Sequence, residues 1–526
     1  MTTLPPEALL PAGSFALALL RNEPHVRGCV EHGVGDDDGL LAAAQRAAVR
    51  PLPRDELVAA LLRGLDELAA PESARRAAER LRAPGVVAVV TGQQPGLLGG
   101  PELVLTKALA ALALARRVES LGVPAVPVFW HASEDDDLAE ADHVAWLADA
   151  ALQRVEAPFD APGGRAPMLA RAAWPARADV HLDALLARHP GSAVAEEVRA
   201  ALQPSDAGGA TFGRRIGRLL ARVLGAQGIV VVEPHALRAL AAPVVAREID
   251  EPGALHALAV AACERVVAAG FPAPLALRRA QLYYLVDEAT GARERVRAEG
   301  RFVVVERTGE RRAAAELRAR LDAEPTAFAW NVVSRVLAQD TALPVAAQVC
   351  GPAELGYCAL LREAHAAFGV AQPALWLRPG ASLVPPAVRR ACAALGVAPR
   401  DVVARGAAAF PAPTIADAAP FDELERAIAA LPPGASRAAV RRRAAVARQA
   451  ALLRAAATRD AAAADELGSR RRALVRAALR PDGLPAERVL AWLPWFLAGG
   501  DAFVARLAGV LGTSAGVHHV LAAEDL

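Results

Sequence analysis

Short apolar runs alternate with longer helical patterns along the first three quarters of the chain. Val86–Val90 is mostly β-branched and predicts a buried parallel strand. A loop rich in glycine follows, and Pro101 then begins an apolar helical pattern that Gly122 ends. Because Val126–Trp130 predicts a second strand directly afterwards, this stretch is expected to form a βαβ unit.

The same alternation continues, so the pattern predicts an α/β fold with a parallel-sheet core. Insertions rich in proline and glycine, such as Ala161–Gly164, are expected to form satellite pieces. Five further strands are predicted: Ile229–Val232, Leu282–Val286, Phe302–Val305, Val345–Val349 and Ala374–Leu377.

Beyond about Val384 the strand signals end and long Ala/Arg stretches begin. Apolar and small residues recur there at intervals of seven, which predicts a helical arm that packs on itself or on a second subunit. The two sets of positions are Val446, Leu453, Asp460, Leu467, Leu474 and Ala450, Ala457, Ala464, Arg471, Ala478. We therefore predict a core over residues 1–383, an arm over 384–480, and a segment over 481–526 that packs back on the core or on the base of the arm.

Composition narrows the functional classes. The chain has 526 residues, with 59 basic and 58 acidic side chains, and this balance argues against a nucleic-acid groove or a membrane-binding surface. The basic runs Arg441–Arg443 and Arg470–Arg472 are interpreted as solvated helix faces. Five scattered cysteines without CxxC spacing indicate neither a disulfide framework nor a zinc site, and we expect a cytoplasmic protein.

Lys107 is the only lysine among the 59 basic residues. Lysine and arginine are not interchangeable where a compact ammonium must meet an anion in a tight space. Lys107 lies about two turns into the predicted helix and can point back towards its beginning. The loop before it is neither a P-loop nor a dinucleotide fingerprint. The loop and Lys107 predict a phosphate or carboxylate site, the alternative being an ordinary glycine-rich turn; its residues are Thr91, Gly92, Gln93, Gln94 and Gly96.

An acidic run, Glu134–Asp137, follows the second predicted strand. Ligands of open parallel sheets bind outside the carboxyl ends of the strands. Adjacent carboxylates repel one another unless a cation neutralises them, so Ser133, Glu134, Asp135 and Asp137 are predicted to hold an amino group or a nucleotide-bound Mg²⁺. His131 and His143 flank the run as proton carriers. A solvated acidic loop is the alternative.

A third polar cluster surrounds the strand predicted at Val345–Val349. Arg335, Gln339 and Asp340 precede this strand, and a turn and a helix follow it. Cys350 and Cys358 lie nearby and are interpreted as buried thiols. The binding residues predicted after the strand are Gly351, Pro352, Glu354 and Tyr357.

Taken together, these motifs resemble the cysteine-adding enzymes of bacillithiol biosynthesis, which are named as cysteine ligases. The matching segments occur in the same order over nearly the whole chain. They are Val89–Leu98, Gly100-Pro101, Lys107, Pro127–Trp130, Glu134-Asp135, Asp137, His143, Gln339-Asp340, Leu343-Pro344, Gly351–Leu355, Tyr357, Glu487–Leu490 and Leu493-Pro494. Three positions depart from the family pattern: Asp136 stands where a histidine is usual, Ala353 replaces a glycine, and Ala486 replaces a glutamine.

The resemblance implies a Rossmann-like core with inserted connecting pieces and a C-terminal α-helical coiled-coil arm that forms a homodimer. It also implies the last step of bacillithiol synthesis, in which cysteine is joined to glucosaminyl-malate. Because a carboxylate does not condense with an amine unaided, activation by ATP is expected. The glycine-containing loop and Lys107 would hold the phosphates, and the acidic run would orient the amine or a metal. Catalytic roles are assigned to Lys107, Asp135, and His143 or His131.

Two other hypotheses remain open at this point. A non-catalytic scaffold could bind a nucleotide or thiol while the helical arm recruits partners. Alternatively, an enzyme of the same fold could act on a different sugar-acid amine. Position 136 determines how closely the reaction mechanism follows that of the family. A histidine there would be the natural general base, and this chain has Asp136 instead.

Overall fold

The computed structural model describes residues 2–161, 164–203, 211–277, 283–411, 418–432 and 436–526. Its strands are β1 Thr2–Leu4, β2 Val87–Gln93, β3 Ala125–His131, β4 His143–Ala148, β5 Ala151–Glu156, β6 Val230–Val232, β7 Tyr283–Val286, β8 Arg293–Glu299, β9 Phe302–Val305, β10 Arg311–Ala313, β11 Phe328–Trp330, β12 Val345–Cys350, β13 Ala374–Leu377, β14 Gly380–Val384 and β15 His518–Ala522.

Helices separate and follow these strands. They are α1 Phe15–Leu20, α2 Asp37–Val49, α3 Arg54–Glu67, α4 Glu72–Arg80, α5 Glu102–Ser120, α6 Leu138–Ala141, α7 Ala176–Leu186, α8 Ala193–Leu202, α9 Phe212–Ala226, α10 Arg238–Asp250, α11 Ala254–Ala268, α12 Ala314–Ala323, α13 Ser334–Ala342, α14 Pro352–Ala359, α15 Arg362–Ala367, α16 Pro386–Ala394, α17 Pro399–Arg405, α18 Ala419–Ala430, α19 Arg437–Ala464, α20 Glu466–Leu479 and α21 Leu493–Leu511.

The central sheet has five parallel strands in the order β13-β12-β2-β3-β6. Both faces are covered, since successive residues of β2 enter different cores: Ala88 and Val90 pack into the larger one, and Val87 and Val89 into a second one. This double burial explains why the strand is a continuous apolar run. The α/β prediction and the βαβ unit formed by β2, α5 and β3 are confirmed.

Two of the predicted strands, β7 and β9, do not join the central sheet. They belong to a five-stranded antiparallel sheet of order β10-β9-β8-β7-β11. The predicted strand Leu282–Val286 is observed from Tyr283, and Leu282 lies outside the described residues. The Ala161–Gly164 insertion also lies partly outside them, at residues 162 and 163. The apolar runs therefore identified these strands but not the sheet that they join.

The C-terminal part contains long helices and one strand that the sequence pattern did not predict. The heptad positions do not run through a single helix, because α19 ends at Ala464 and Asp465 caps the beginning of α20 by accepting a hydrogen bond from the Gly468 N–H. Val446 and Leu453 are about half exposed on α19. The expectation that strands end near Val384 is wrong, since β15 pairs with β14 and β1.

The coiled coil, the homodimer and the division into three domains remain predictions. Among the residues that the structure describes, no helix combines the length and the apolar character that crossing a membrane requires.

Candidate active site

A cavity of about 770 Å³ opens at the carboxyl ends of β2 and β12. After β2, the strands β3 and β6 are added on one side of β2. Later in the chain, β12 is added on the other side of β2. The strand order therefore reverses between these two strands, and ligands of open α/β sheets bind at such a switch point. Gly92, Gln93 and Gln94 border the cavity from β2, and Gly351–Glu354 border it from the side of β12.

Close packing around the β2 loop explains two of its glycines. A Cβ at Gly92 would lie 2.8 Å from the Trp130 carbonyl oxygen, so only glycine allows β2 to approach β3 here. Gly99 has a φ of +94°, and a Cβ there would lie 2.6 Å from the Trp492 ring. The Trp492 indole N–H donates to the Gly99 carbonyl at 2.9 Å. The C-terminal segment thus fixes the loop in front of α5.

Lys107 extends back along α5 to the end of β2, as the sequence predicted. Its Nζ donates to the Gly92 carbonyl at 2.5 Å and to Gln93 Oε1 at 3.0 Å, and it lies 2.6 Å from Glu354 Oε2. The Lys107 side chain is only 2% exposed, whereas that of Glu354 is 21% exposed. Glu354 also accepts a hydrogen bond from the Gly351 N–H at 2.7 Å, at the beginning of α14. Lys107 therefore joins the ends of both switch-point strands.

Burial and mutual attraction act in opposite directions on the pKa values of Lys107 and Glu354. Burial lowers the pKa of Lys107, and Glu354 opposes this effect. Burial alone would raise the pKa of Glu354, but Lys107, the Gly351 N–H and Arg335 bring it below the ordinary value. A lowered pKa of Glu354 keeps the carboxylate charged at neutral pH, so Lys107 meets an anion before any ligand arrives.

Two further cations border the same end of the cavity. Arg335 donates to the Tyr357 hydroxyl at 3.0 Å and has no carboxylate partner within the described ranges. Arg378 donates to Glu487 Oε1 at 2.6 Å, and Glu487 Oε2 accepts from the Ala381 N–H at 2.9 Å. With Lys107, three cations stand beside the two carboxylates Glu354 and Glu487, so this end carries an excess positive charge.

The segment after β3 adds the carboxylates Glu134, Asp135 and Glu140 to the border of the cavity, and we call these residues its acidic end. Glu134 accepts a hydrogen bond at 3.0 Å from Arg238, whose guanidinium lies 4.2 Å from the centroid of the Trp330 ring. Asp135 Oδ1 accepts from the backbone N–H groups of Asp136 and Asp137 at 2.8 and 3.2 Å. Glu134 is therefore neutralised by a buried arginine, while Asp135 is held by its own turn and lies 3.6 Å from the Arg293 guanidinium.

Asp136, at the position where the resemblance predicts a histidine, pairs with Arg293. Arg293 Nε donates to Asp136 Oδ2 at 3.1 Å, and its guanidinium lies 4.8 Å from the centroid of the Tyr284 ring. Arg293 and Tyr284 border the cavity, whereas Asp136 does not. Asp136 thus ties the antiparallel sheet to the acidic loop instead of facing a ligand.

Glu140 is an acidic cavity residue that the sequence analysis missed. It lies in the short helix α6, and none of its contacts within the described residues is a salt bridge. Partial burial raises the pKa of Glu140, and the neighbouring Asp137 and Asp135 raise it further, while Arg488 and Gln94 oppose them. A carboxyl group without a paired cation and with a raised pKa is suited to accept a proton.

Neither of the two histidines that were predicted as proton carriers borders the cavity. His131 is fully buried because α9 covers it, and its Nε2 lies 2.9 Å from the Gly213 carbonyl oxygen. His143 points to solvent on the other side of α6, where its Nδ1 contacts the Ala139 carbonyl and Asp142, each at 3.1 Å.

Six other predicted binding residues also lie outside the cavity, and most of them stabilise the elements around it. Thr91 Oγ1 donates to the Val349 carbonyl at 2.9 Å and joins β2 to β12. Asp137 caps α6. Gln339 donates to Gln348, and Asp340 lies 2.8 Å from His365, both behind the sheet edge. The six are Thr91, Gly96, Ser133, Asp137, Gln339 and Asp340.

The predicted residues that do border the cavity come from three separate parts of the sequence. They are Gly92, Gln93, Gln94, Lys107, Glu134, Asp135, Arg335, Gly351, Pro352, Glu354 and Tyr357. Of the residues that were missed, Arg378 directly follows β13, so the rule that pointed to the other strand ends could also have found it. Arg293 and Arg295 lie on β8, and no local pattern shows that this strand faces the cavity.

Comparison with known proteins agrees with this architecture. The sequence profile of the family described as "Bacillithiol biosynthesis BshC, N-terminal Rossmann-like domain" matches residues 13–379. The match includes β2, α5, β3 and β12, and it ends one residue beyond Arg378. It therefore covers the whole central sheet and nearly every residue that borders the cavity.

The similarity to an individual relative extends over more of the chain than residues 13–379. A protein of Thermus thermophilus named "Putative cysteine ligase BshC" is 34% identical over 489 residues, which is 89% of this chain and 94% of that protein. Proteins with the same name from Salinibacter ruber and Koribacter versatilis are each 33% identical, over 68% and 61% of this chain and 66% and 59% of their own lengths.

Proposed function

This chain belongs to the BshC family of bacillithiol biosynthesis, and from that premise we propose that it joins cysteine to glucosaminyl-malate through an amide bond. The observation that carries the proposal is that cations and carboxylates border the same cavity. Lys107 and Arg335 lie on α5 and α13, and Glu134, Asp135 and Glu140 lie in the segment that follows β3. Such a cavity suits a reaction that brings an anionic activated carboxyl group to an amine.

The cationic end suits phosphate groups. Arg335 forms no salt bridge in the described part of the chain, although the charge of Glu354 acts on it, and arginine binds phosphate through several parallel hydrogen bonds. The main chain at Gly92 and Gly351 also borders this end. In the proposed reaction, Arg335 would bind the anion directly, while Lys107 would stabilise the negative charge that develops nearby.

The donors around the cavity fit a nucleotide. The side-chain amides of Gln93, Gln94 and Asn331 border it. ATP would supply the activation of the cysteine carboxylate as a phosphate or adenylate ester. A Mg²⁺ carried with it would find oxygen ligands at Asp135 and Glu140.

The acidic end would orient the attacking amine. Asp135 and Glu140 attract an ammonium group, and the amine must lose a proton before or while the amide bond forms. We assign the acceptance of that proton to Glu140, because neither His131 nor His143 reaches the cavity. The raised pKa of Glu140 brings its basicity closer to that of the amine.

Thiol profiling of cells with and without this gene tests the proposal. Loss of bacillithiol together with accumulation of glucosaminyl-malate is the expected result. A deletion strain that makes the normal thiol would contradict the proposal and favour a binding scaffold. Loss of a different amide, with bacillithiol unchanged, would instead indicate a ligase of the same fold that uses another sugar-acid amine.

A further inference from the structure

A second polar cluster lies behind the acidic end of the cavity, outside the proposed active site. Glu233 directly follows β6, His235 comes two residues later, and Glu67 ends α3. Each offers one ligand atom, and these three atoms lie within 4.8 Å of one another. Pro234, between two of them, borders the main cavity, so the cluster and the cavity share a wall.

Two buried atoms at this place have no hydrogen-bond partner among the described residues. One is Oε2 of Glu233, which is 2% exposed, and the other is Nδ1 of His131, which is fully buried. A desolvated carboxylate oxygen and a desolvated ring nitrogen are costly unless something pairs with them. The charges of Glu233 and His235 act on the pKa of His131, so His131 lies within electrostatic range of the cluster.

The hydrogen bond on the other ring nitrogen of His131 sets its tautomer. Nε2 lies 2.9 Å from the Gly213 carbonyl oxygen, and a carbonyl can only accept. The proton is therefore on Nε2, and Nδ1 presents a lone pair. A backbone carbonyl that holds the distal N–H is the usual support of a histidine that binds a metal.

Arg214 does not fully neutralise the two carboxylates. Its Nη1 lies 2.7 Å from Glu67 Oε2, but its Nε is 3.7 Å from Glu233 Oε2, which is beyond hydrogen-bond distance. His235 Nε2 lies 3.6 Å from Glu67 Oε2. The cluster therefore combines two carboxylates with one guanidinium, and its most buried oxygen is the one without a hydrogen bond.

We propose that Glu67, Glu233 and His235 form a binding site for a divalent transition-metal ion. Carboxylate oxygen together with imidazole nitrogen suits Zn²⁺ and its first-row neighbours, whereas Mg²⁺ and Ca²⁺ prefer ligand sets made of oxygen alone. The half-exposed His235 and the exposed Glu67 give an ion access from solvent. A bound ion would stabilise the wall behind the acidic end of the cavity.

Zinc binding to the chelator-treated full chain, followed by isothermal titration calorimetry, tests this site. We expect one saturable Zn²⁺ per chain and an affinity at least about 100-fold lower in Glu233→Gln. His235→Ala serves as the second variant, because this side chain is half-exposed and its removal does not disturb the core. The matched control is Glu56→Gln, an exposed carboxylate on the same helix as Glu67.

The outcomes separate this site from the active site. Zinc affinity that falls in Glu233→Gln and His235→Ala but not in Glu56→Gln supports the proposal, and it does so whether or not the chain has ligase activity. Absence of saturable binding overturns it, as does equal affinity in all variants, which would indicate the free cysteines or the cavity carboxylates instead. Tighter binding of Mg²⁺ than of Zn²⁺ would contradict the assigned class of metal.

Discussion

Glu102 should make the stability of this protein fall as the pH rises through neutrality. Its side chain is 4% exposed in the first turn of α5, where one oxygen accepts a hydrogen bond from the Trp495 indole at 2.8 Å. The other oxygen, Oε2, has no partner in the described part of the chain. Burial raises the pKa of Glu102 from 4.5 to about 8; the Trp495 hydrogen bond opposes this rise, and the nearby Glu487 adds to it.

The direction of the pH effect follows from proton binding in the two states. Between about pH 4.5 and pH 8 the folded protein keeps the Glu102 proton while the unfolded chain has lost it. The free energy of unfolding therefore falls with rising pH over this window, by about 1.4 kcal/mol per pH unit, and this amounts to about 3 kcal/mol at pH 7. Below the window Glu102 is protonated in both states, and no penalty remains.

Replacing Glu102 by glutamine removes this penalty and keeps a hydrogen-bond acceptor for Trp495. Urea unfolding, measured at about pH 5, 7 and 8.5, should show little difference at the lowest pH and a gain of about 3 kcal/mol at neutrality. Glu316→Gln, an exposed carboxylate on α12, is the matched control and should show no such trend. A gain in Glu102→Gln that is independent of pH would refute the reasoning.

The cavity gives three further predictions. Arg335→Met should raise the KM for the anionic substrate roughly tenfold or more, because a charge-assisted contact is lost, and steady-state kinetics checks this. Glu140→Gln should lower kcat much more than His143→Ala and should remove the acidic limb of the pH–rate profile; equal losses in both variants would contradict the assigned proton acceptor. Trp492→Phe should lower the unfolding free energy by about 1 kcal/mol or more in denaturant titrations, since the hydrogen bond to Gly99 is lost.

The sequence predicted the site residues that directly follow strands of the parallel sheet. Residues that follow β2, β3 and β12 meet at one edge because parallel strands end on the same side. Lys107 was predictable for the same reason, since a side chain in the second turn of a helix can point back towards its beginning. This reasoning could not decide which side chains face the cavity, and so His131, which α9 buries, was misplaced.

The remainder of the site depends on contacts between distant parts of the chain. Arg293 reaches the cavity only because an antiparallel sheet packs over the acidic loop, where Asp136 holds it. The spacing of apolar residues along the chain does not reveal which sheet packs over which loop. The same limit applies to the heptad positions, since Asp465 ends α19 by a local capping hydrogen bond that the seven-residue spacing does not reveal.

Product formation by the purified chain tests the central claim most directly. The chain is incubated with cysteine, glucosaminyl-malate and ATP, and the condensed thiol and the nucleotide product are followed by mass spectrometry. Lys107→Met removes the ammonium group but leaves the Glu354 carboxylate unpaired. The double variant Lys107→Met with Glu354→Gln avoids that unpaired carboxylate. The double variant therefore separates a loss of chemistry from a loss of folding. We predict thiol formation matched by ATP consumption in the unmodified protein and neither in the folded double variant. No condensation by the unmodified protein, or equal condensation by the double variant, would contradict the account.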